Sequence, residues 1–229
     1  AGVVLVDIGG GTTDIAIFFD NIIRHTAVIP FGGNVVTEDI RQGCGIMREQ
    51  AEQLKTKFGS ALASENKDNE VVCIPGLRGR DPKEISLRTL AEIIQSRMEE
   101  ILEHVHFEIK NSGMEKQLIA GIVLTGGGSQ LKHLKHLVEL MTGMSTRIGY
   151  PNEHIAKSAV EDVTSPLHAT GVGLVMKGFD YLERHRTKPV EARVAAAKSP
   201  VKGHSKGIFG GLLDSVMTGA SNLLKEDEN

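Results

Sequence analysis

The stretch that decides the fold is VVLVDIGGGTTDIAIF, which runs from Val3 to Phe18. Two apolar segments flank three glycines and two threonines, a pattern that predicts a strand, a tight glycine turn and a second strand. Glycines let backbone N–H groups close on a phosphate, and Asp7 and Asp14 are placed to hold a cation or a water beside it. A P-loop would need Lys after the last Gly and then a helix. The stretch therefore predicts a phosphate-binding hairpin of another kind.

The elements that follow predict an α/β layer fold with a mixed sheet. A strand from Ile22 to Pro30 extends the hairpin into a meander, and the rest follows from periodicity and from Gly and Pro positions. The expected elements are a mainly helical segment 37–60, a strand 71–74, a turn-rich connection 75–82 that could bend a hairpin, a long helix from Ser86 to about Lys110, a buried strand 121–125, a helix starting near Ser129, a strand 146–150 and a final helix 166–182. Consecutive strands, then helices, then a strand–glycine–helix unit exclude a Rossmann repeat.

A second glycine triplet, Gly126–Gly128, directly follows the strand GIVLT. One glycine triplet alone indicates only a tight turn, but two triplets, each after an apolar strand, favour a nucleotide site. Because this triplet is expected to open a helix, its N–H groups and the helix dipole would favour a phosphate or sugar. The two sides of the site would be Gly9–Thr13 and Gly126–Ser129.

The predicted helices carry a charged pair and two histidine pairs. Each pair either binds a ligand or consists of solvated surface residues. Glu52 and Lys55 share a helix face, either as a solvated charge pair or as a contact to ribose hydroxyls. The histidines of KHLKHL and of EHVH could be proposed as metal ligands. No carboxylate or cysteine completes either set nearby, which favours solvated helix residues.

Composition excludes some classes of function. With a net charge of −3, 4% aromatic residues and no Trp, the chain offers neither a basic surface nor a stacking platform for nucleic acid. Cys44 and Cys73 lie outside any C-x-x-C spacing, so reduced thiols in the cytoplasm are expected. No apolar run reaches the ~18 residues of a membrane span.

The C-terminal part of the sequence changes character. Residues 184–206 contain seven Lys or Arg and one acid, and predict a flexible basic linker. Residues 207–225 place their apolar side chains on one helical stripe, which could bind a membrane surface or a partner, fold back on the domain or stay disordered. Nearby lysines favour an anionic membrane, and we expect these residues to insert: Ile208, Phe209, Leu212, Leu213, Val216, Met217, Leu223 and Leu224.

Six motifs in the same order resemble the bacterial cell-division FtsA family, which belongs to the actin, chaperone and sugar-kinase ATPase superfamily. They are DIGGGTTD at 7–14, GGN with TxDI at 32–40, EQAEQLKTKFGSA at 49–61, LAEIIQSRMEEIL at 90–102, GIVLTGGGSQL at 121–131 and SPLHATGVGL at 165–174. The resemblance implies an actin-like (RNase H-like) mixed-sheet domain formed by 1–32 and 87–182, a smaller inserted subdomain 33–86, the linker 183–206 and the amphipathic helix 207–225.

The same resemblance implies ATP and Mg²⁺ as ligands. Asp7 would lie near Mg²⁺ or the attacking water, as the metal-facing and catalytic residue, and Glu52 and Lys55 would face the ribose. The β- and γ-phosphates would lie against Gly9, Gly10, Gly11, Thr12 and Thr13, and the adenosine against Gly126, Gly127 and Gly128. The family's first phosphate loop and first connecting helix precede the hairpin and are not in this sequence. We therefore expect this chain alone to bind ATP weakly or not at all.

The resemblance also implies partners and a place in the cell. FtsA-like proteins assemble into filaments, bind the acidic C-terminal peptide of the tubulin-like FtsZ, and tether it to the inner face of the cell membrane through the tail helix. Arg88 and Arg97 are candidates for docking that peptide. The alternative, at least as well supported for each residue, is an ordinary exposed arginine on a helix. Other ATPases of the superfamily, a sugar-kinase or chaperone type, are the alternative. A kinase would need an acceptor-binding site, which nothing in this sequence supplies. A chaperone would need a β-rich substrate domain after residue 182, which the 47-residue tail cannot provide.

Overall fold

The computed structural model describes residues 1–67, 69–76, 81–153, 155 and 161–186. Contacts between Cα atoms divide the chain into two units, Ala1–Phe179 and Asp180–Asn229. The first unit holds every strand of the described part. In the second unit, the described residues 180–186 are helical.

In the described residues, an initial meander of three strands is followed by two helices, a strand hairpin, a long helix and then strands and helices in turn. The strands are β1 Val3–Ile8, β2 Thr13–Phe19, β3 Ile22–Ile29, β4 Val71–Ile74, β5 Lys83–Ser86, β6 Ile122–Thr125 and β7 Thr146–Ile148. The α-helices are α1 Gly33–Cys44, α2 Arg48–Phe58, α3 Leu87–Asn111, α4 Leu134–Thr142 and α5 Ala169–Arg186. Short 3₁₀ helices cover Ala63–Glu65, Glu115–Gln117, Gly127–Gln130, Glu161–Thr164 and Pro166–His168.

The main sheet has five strands in the order β3-β2-β1-β6-β7. β1, β2 and β3 pair antiparallel, whereas β6 runs parallel to both β1 and β7. This arrangement confirms the predicted meander and mixed sheet. Because β1 and β6 are parallel neighbours, both end at the same edge of the sheet. The glycine triplet that follows each strand therefore starts from that edge.

The core lies between the sheet and the long helix α3. Alternate residues of β1 are fully buried, as expected for a strand with one face on the core. The predicted apolar stripe of α3 is confirmed, since nearly all its members are buried and the helix contacts β2 and β3. The buried α3 residues are Leu90, Ala91, Ile94, Met98, Ile101, Leu102, Val105 and Ile109.

Two predicted helical segments differ from the structure. The segment 37–60 is two helices, because Gly45 adopts φ +58 and ends α1 before α2 begins at Arg48. The helix expected near Ser129 was wrong: Gly127–Gln130 is a 3₁₀ helix, and α4 begins only at Leu134. His133, with φ +62, separates the two and is therefore not a helix residue.

The turn-rich connection 75–82 does join a hairpin, since β4 and β5 pair antiparallel in a separate sheet of two strands. Ser86 is the N-terminal flanking residue of α3, as expected. Whether 33–86 behaves as a subdomain stays a prediction. Both cysteines are free thiols, and burial raises the pKa of the Cys44 thiol, whereas Cys73 is exposed.

Candidate nucleotide-binding cleft

The loop between β1 and β2 is closed by a backbone hydrogen bond and leaves open space beside its glycines. Its backbone closes on itself, since the Gly9 N–H donates to the Thr12 carbonyl at 2.9 Å. A Cβ added at Gly11 would meet no atom within 4 Å, and one at Gly10 would meet only the Asn34 side chain, at 3.5 Å. Neither glycine has a left-handed φ. The fold itself therefore does not require glycine at 11, and the open space suits a ligand that approaches the backbone.

The N-terminus of α1 packs directly against this loop. Gly33 N–H donates to the Gly9 carbonyl at 2.9 Å, and Asn34 N–H donates to the Gly10 carbonyl at 2.8 Å. A Cβ at Gly32 would lie 2.6 Å from the Gly9 carbonyl oxygen, so only glycine fits there. The GGN motif thus holds the β1–β2 loop in place through backbone hydrogen bonds.

Two carboxylates border the loop. Asp7, in β1, accepts a hydrogen bond at Oδ2 from the Thr170 hydroxyl at 2.8 Å, which links the start of α5 to the sheet edge. Asp14, in β2, accepts one from the Thr12 hydroxyl at 2.9 Å. Mg²⁺ in nucleotide sites is bound by one or two carboxylates together with phosphate oxygens. Asp7 and Asp14 are therefore suited to hold Mg²⁺ beside a phosphate, which is the role predicted for Asp7.

Glu52 and Lys55 form a compact polar cluster with Thr37 of α1. The Lys55 ammonium donates to Glu52 Oε2 at 2.8 Å, to the Thr37 hydroxyl at 2.7 Å and to the Gly33 carbonyl at 2.8 Å. Thr37 Oγ1 also lies 2.5 Å from Glu52 Oε2. Burial raises the pKa of Glu52, but the bonds from Lys55 and Thr37 outweigh it, so the pKa lies below its ordinary value. The pair is more than a solvated charge pair.

The second glycine triplet follows β6 and packs against β1. Gly126 has φ +80, and a Cβ there would lie 2.2 Å from Asp7 Oδ1. A Cβ at Gly128 would lie 2.4 Å from the Ile8 side chain. The triplet leads into a 3₁₀ helix of four residues rather than the expected α-helix, and its contact with a phosphate or sugar stays a prediction. Glycine is therefore required at 126 and 128 for close packing against Asp7 and Ile8.

All these segments line one cleft of about 620 Å³, a volume typical of small-molecule sites. Nine of the predicted residues line it: Asp7, Gly9, Gly10, Asp14, Glu52, Lys55, Gly126, Gly127 and Gly128. Gly11 and Thr12 lie in the exposed loop tip. Thr13 is fully buried and its hydroxyl donates to the Phe31 carbonyl at 2.8 Å, so its side chain does not face the cleft.

Sequence reasoning missed several lining residues, among them Asn34, Gln130, Lys132 and Thr170. Asn34, Gln130 and Thr170 belong to motifs that were quoted as wholes, GGN, GIVLTGGGSQL and SPLHATGVGL, and those motifs were the available signal. For Lys132 no signal stood out. His133, whose neighbour is Lys132, is half-buried, and its Nδ1 lies 2.9 Å from the Ser60 hydroxyl.

The predicted peptide-docking arginines already have partners. The Arg97 guanidinium binds Asp39 through two hydrogen bonds, of 2.5 and 3.1 Å, and also pairs with Glu100. Arg88 pairs with Glu92 at 3.5 Å. Their role in docking a peptide stays a prediction.

The eight predicted membrane residues, Ile208 to Leu224, lie outside the described residues. Within the part of the chain that the structure describes, no helix combines the length and apolarity needed to cross a membrane.

The fold is the actin-like ATPase fold. The structure is similar to MreB5 of Spiroplasma citri bound to ADP, with a TM-score of 0.58 and 23% identity over 83% of this chain and 55% of that one. The family model described as cell division protein FtsA matches residues 4–173. The chain therefore belongs to the FtsA family.

Relatives in that family are similar over most of this chain. It is 43% identical to the FtsA protein of Pseudomonas aeruginosa over 178 residues, which are 78% of this chain and 42% of the relative. It is 38% identical to that of Escherichia coli K12 over 203 residues, which are 86% of this chain and 48% of the relative. The chain thus spans about half the length of the curated relatives it matches.

Proposed function

We propose that the cleft binds ATP with Mg²⁺, weakly in this chain alone, with the phosphates against Gly9–Thr13, the ribose beside the Glu52–Lys55 pair and the adenosine against Gly126–Gly128. The observation that carries this proposal is the convergence of four segments, distant in sequence, on one cleft of about 620 Å³. The ADP-bound state of the similar MreB5 structure supports it.

The chain's own residues would do three things at this site. The loop N–H groups and open glycine surface admit the phosphates, Asp7 and Asp14 orient a cation or a water beside them, and Thr170 holds the Asp7 carboxylate in place. Bound Mg²⁺ would neutralise phosphate charge. Any hydrolysis would be slow, in-line phosphoryl transfer.

A saturation-transfer NMR experiment on ATP with Mg²⁺ tests this site, because it detects weak binding. The wild-type chain should transfer saturation to the adenine and ribose protons of ATP, and the Gly11→Val variant should lose at least about 80% of that signal, since Val fills the open space next to the loop. Gly178→Val is the matched control, because Gly178 also has open space around it but does not line the cleft. No transfer in wild type, or equal transfer in Gly11→Val, would contradict the proposal.

Membership of the FtsA family supports a role in cell division. We propose that the protein assembles into actin-like filaments and links FtsZ, through its C-terminal peptide, to the inner face of the cell membrane. The sequence of 207–225, with its apolar stripe after a basic linker, supports the membrane part of this role.

A further inference from the structure

We infer that Lys55 is a positioning residue for the phosphate loop, rather than a ribose ligand. The inference rests on the proposed nucleotide site and changes the role of one of its residues. It follows from three structural facts: how the Lys55 ammonium is bonded, what its acceptor contacts, and how little of it is exposed.

The Lys55 ammonium has no N–H left for a ribose hydroxyl. A lysine carries three donors and no acceptor. All three are used within the protein, at 2.7 to 2.8 Å, on the Gly33 carbonyl, the Thr37 hydroxyl and Glu52 Oε2. The Lys55 side chain is 12% exposed, whereas that of Glu52 is 47% exposed. Of the pair, Glu52 is the residue placed to meet a ribose.

One of these acceptors is bonded in turn to the phosphate loop. Gly33 accepts from Lys55 at its carbonyl and donates its own N–H to the Gly9 carbonyl at 2.9 Å. Asn34 makes the next bond of the same kind, to Gly10. A Cβ at Gly33 would lie 3.3 Å from Lys55 Nζ and 3.6 Å from the Gly9 oxygen, so Gly33 is held closely between them. Lys55 thereby fixes the first turn of α1, and that turn fixes Gly9 and Gly10.

Amide hydrogen exchange in the nucleotide-free chain tests this role directly. In Lys55→Met, the Gly33 and Asn34 amides should exchange at least about tenfold faster than in wild type, because loss of charged hydrogen bonds frees the first turn of α1. Lys57→Met, on an exposed position of the same helix, should leave both amides unchanged. Unchanged exchange in Lys55→Met would overturn the inference, whether or not ATP binds.

Ligand titrations by NMR separate positioning from ribose contact. Lys55→Met should weaken ATP with Mg²⁺ by about tenfold but adenosine by less than about twofold, because only ATP uses the loop. Equal losses for both ligands would show a ribose contact and overturn the inference. Absence of any shift in wild type would contradict the proposed function, and the exchange experiment would still decide the role of Lys55.

A measurement on the wild-type chain covers the case in which Lys55→Met fails to fold. The Nζ protons of Lys55 should exchange with water at least about tenfold more slowly than those of the exposed Lys57 in the nucleotide-free chain, because all three are hydrogen-bonded within the protein. Equal exchange of the two ammonium groups would overturn the inference.

Discussion

Gly126 and Gly11 border the same cleft but have different surroundings. Gly126 adopts φ +80 and its hydrogen faces Asp7 Oδ1 and the Ile8 carbonyl, where a Cβ would lie 2.2 and 2.6 Å away. Gly11 has an ordinary φ and open space. Glycine is therefore required at 126 by the packing and the backbone conformation. At 11, glycine keeps the space in front of the loop open.

We expect Gly126→Ala to destabilise the chain by about 3 kcal/mol or more, because it combines a strained φ with a clash against backbone. Gly11→Ala should change the unfolding free energy by less than about 0.5 kcal/mol. Urea unfolding followed by circular dichroism measures both. Similar losses in the two variants would show that this distinction is wrong.

Glu52 should make stability depend on pH. Its pKa lies below the ordinary value of 4.5, so its stabilising effect is present above the pKa of the unfolded chain and is lost as the pH falls through the folded pKa. Glu52→Gln should be less stable than wild type at pH 7 by about 1 kcal/mol or less, because solvent screens this nearly half-exposed group. The difference should shrink as the pH falls below 4.5 in urea titrations, and a difference independent of pH would contradict this explanation.

Individual site residues were predictable where the sequence carries a local pattern. Asp7 and both glycine triplets adjoin apolar strands, and all were expected in the site. The Thr170–Asp7 hydrogen bond joins residues 163 positions apart, so only the tertiary fold reveals it. The burial of the Thr13 side chain was also not predictable from the sequence, because it depends on a hydrogen bond to the Phe31 carbonyl.

At the scale of elements, an ion pair links α1 to α3. Asp39 and Arg97 are each only about one quarter exposed and share two hydrogen bonds. Such bidentate pairs in partly buried positions hold geometry better than single surface pairs. The Arg97 guanidinium therefore belongs to the packing of these helices.

A double-mutant cycle on Asp39→Ala and Arg97→Ala should give a coupling energy of about 1–2 kcal/mol, because the pair is bidentate and partly buried. The exposed pair Arg88–Glu92, within α3, is the control and should give about 0.5 kcal/mol or less. Unfolding free energies in urea supply both cycles. Coupling at Asp39–Arg97 no larger than in the control would refute the structural link.

The elements were predictable where apolar periodicity is long and uninterrupted, as in α3 and the β1–β2 hairpin. The bounds of the elements were not predictable where the backbone conformation of a single residue ends or delays a helix. Gly45 and His133 adopt left-handed φ values, which split one expected helix and delay another. Strand β5 is short and polar, and it is a strand because it pairs with β4.

At the scale of the whole molecule, the parallel pairing of β1 with β6 brings the two glycine triplets to one sheet edge. The sequence predicted that the two glycine triplets form two sides of one site. The order of strands in the sheet explains why they lie together. The tail at 207–225 lies outside the described residues, so its role rests on the sequence alone.

Liposome co-sedimentation tests the proposed membrane contact of the tail. The full chain should pellet with vesicles that contain anionic lipid, because the apolar stripe can insert and the linker lysines attract the surface. A version ending at Lys206 should lose most of that binding while keeping the basic linker. Equal pelleting of both versions would exclude the tail as the anchor.

The central claim is that the loops after β1 and β6 form one ATP site. Titration of ATP with Mg²⁺ into the ¹⁵N-labelled chain, followed by ¹H–¹⁵N correlation spectra, tests it most directly. The amides of Gly9–Thr13 and of Gly126–Gly128 should shift together, with one saturating concentration dependence, while those of the β4–β5 hairpin stay in place. The claim would be contradicted if the shifts were confined to one loop, or if they were scattered over the chain without saturation. It would also be contradicted if no amide shifted.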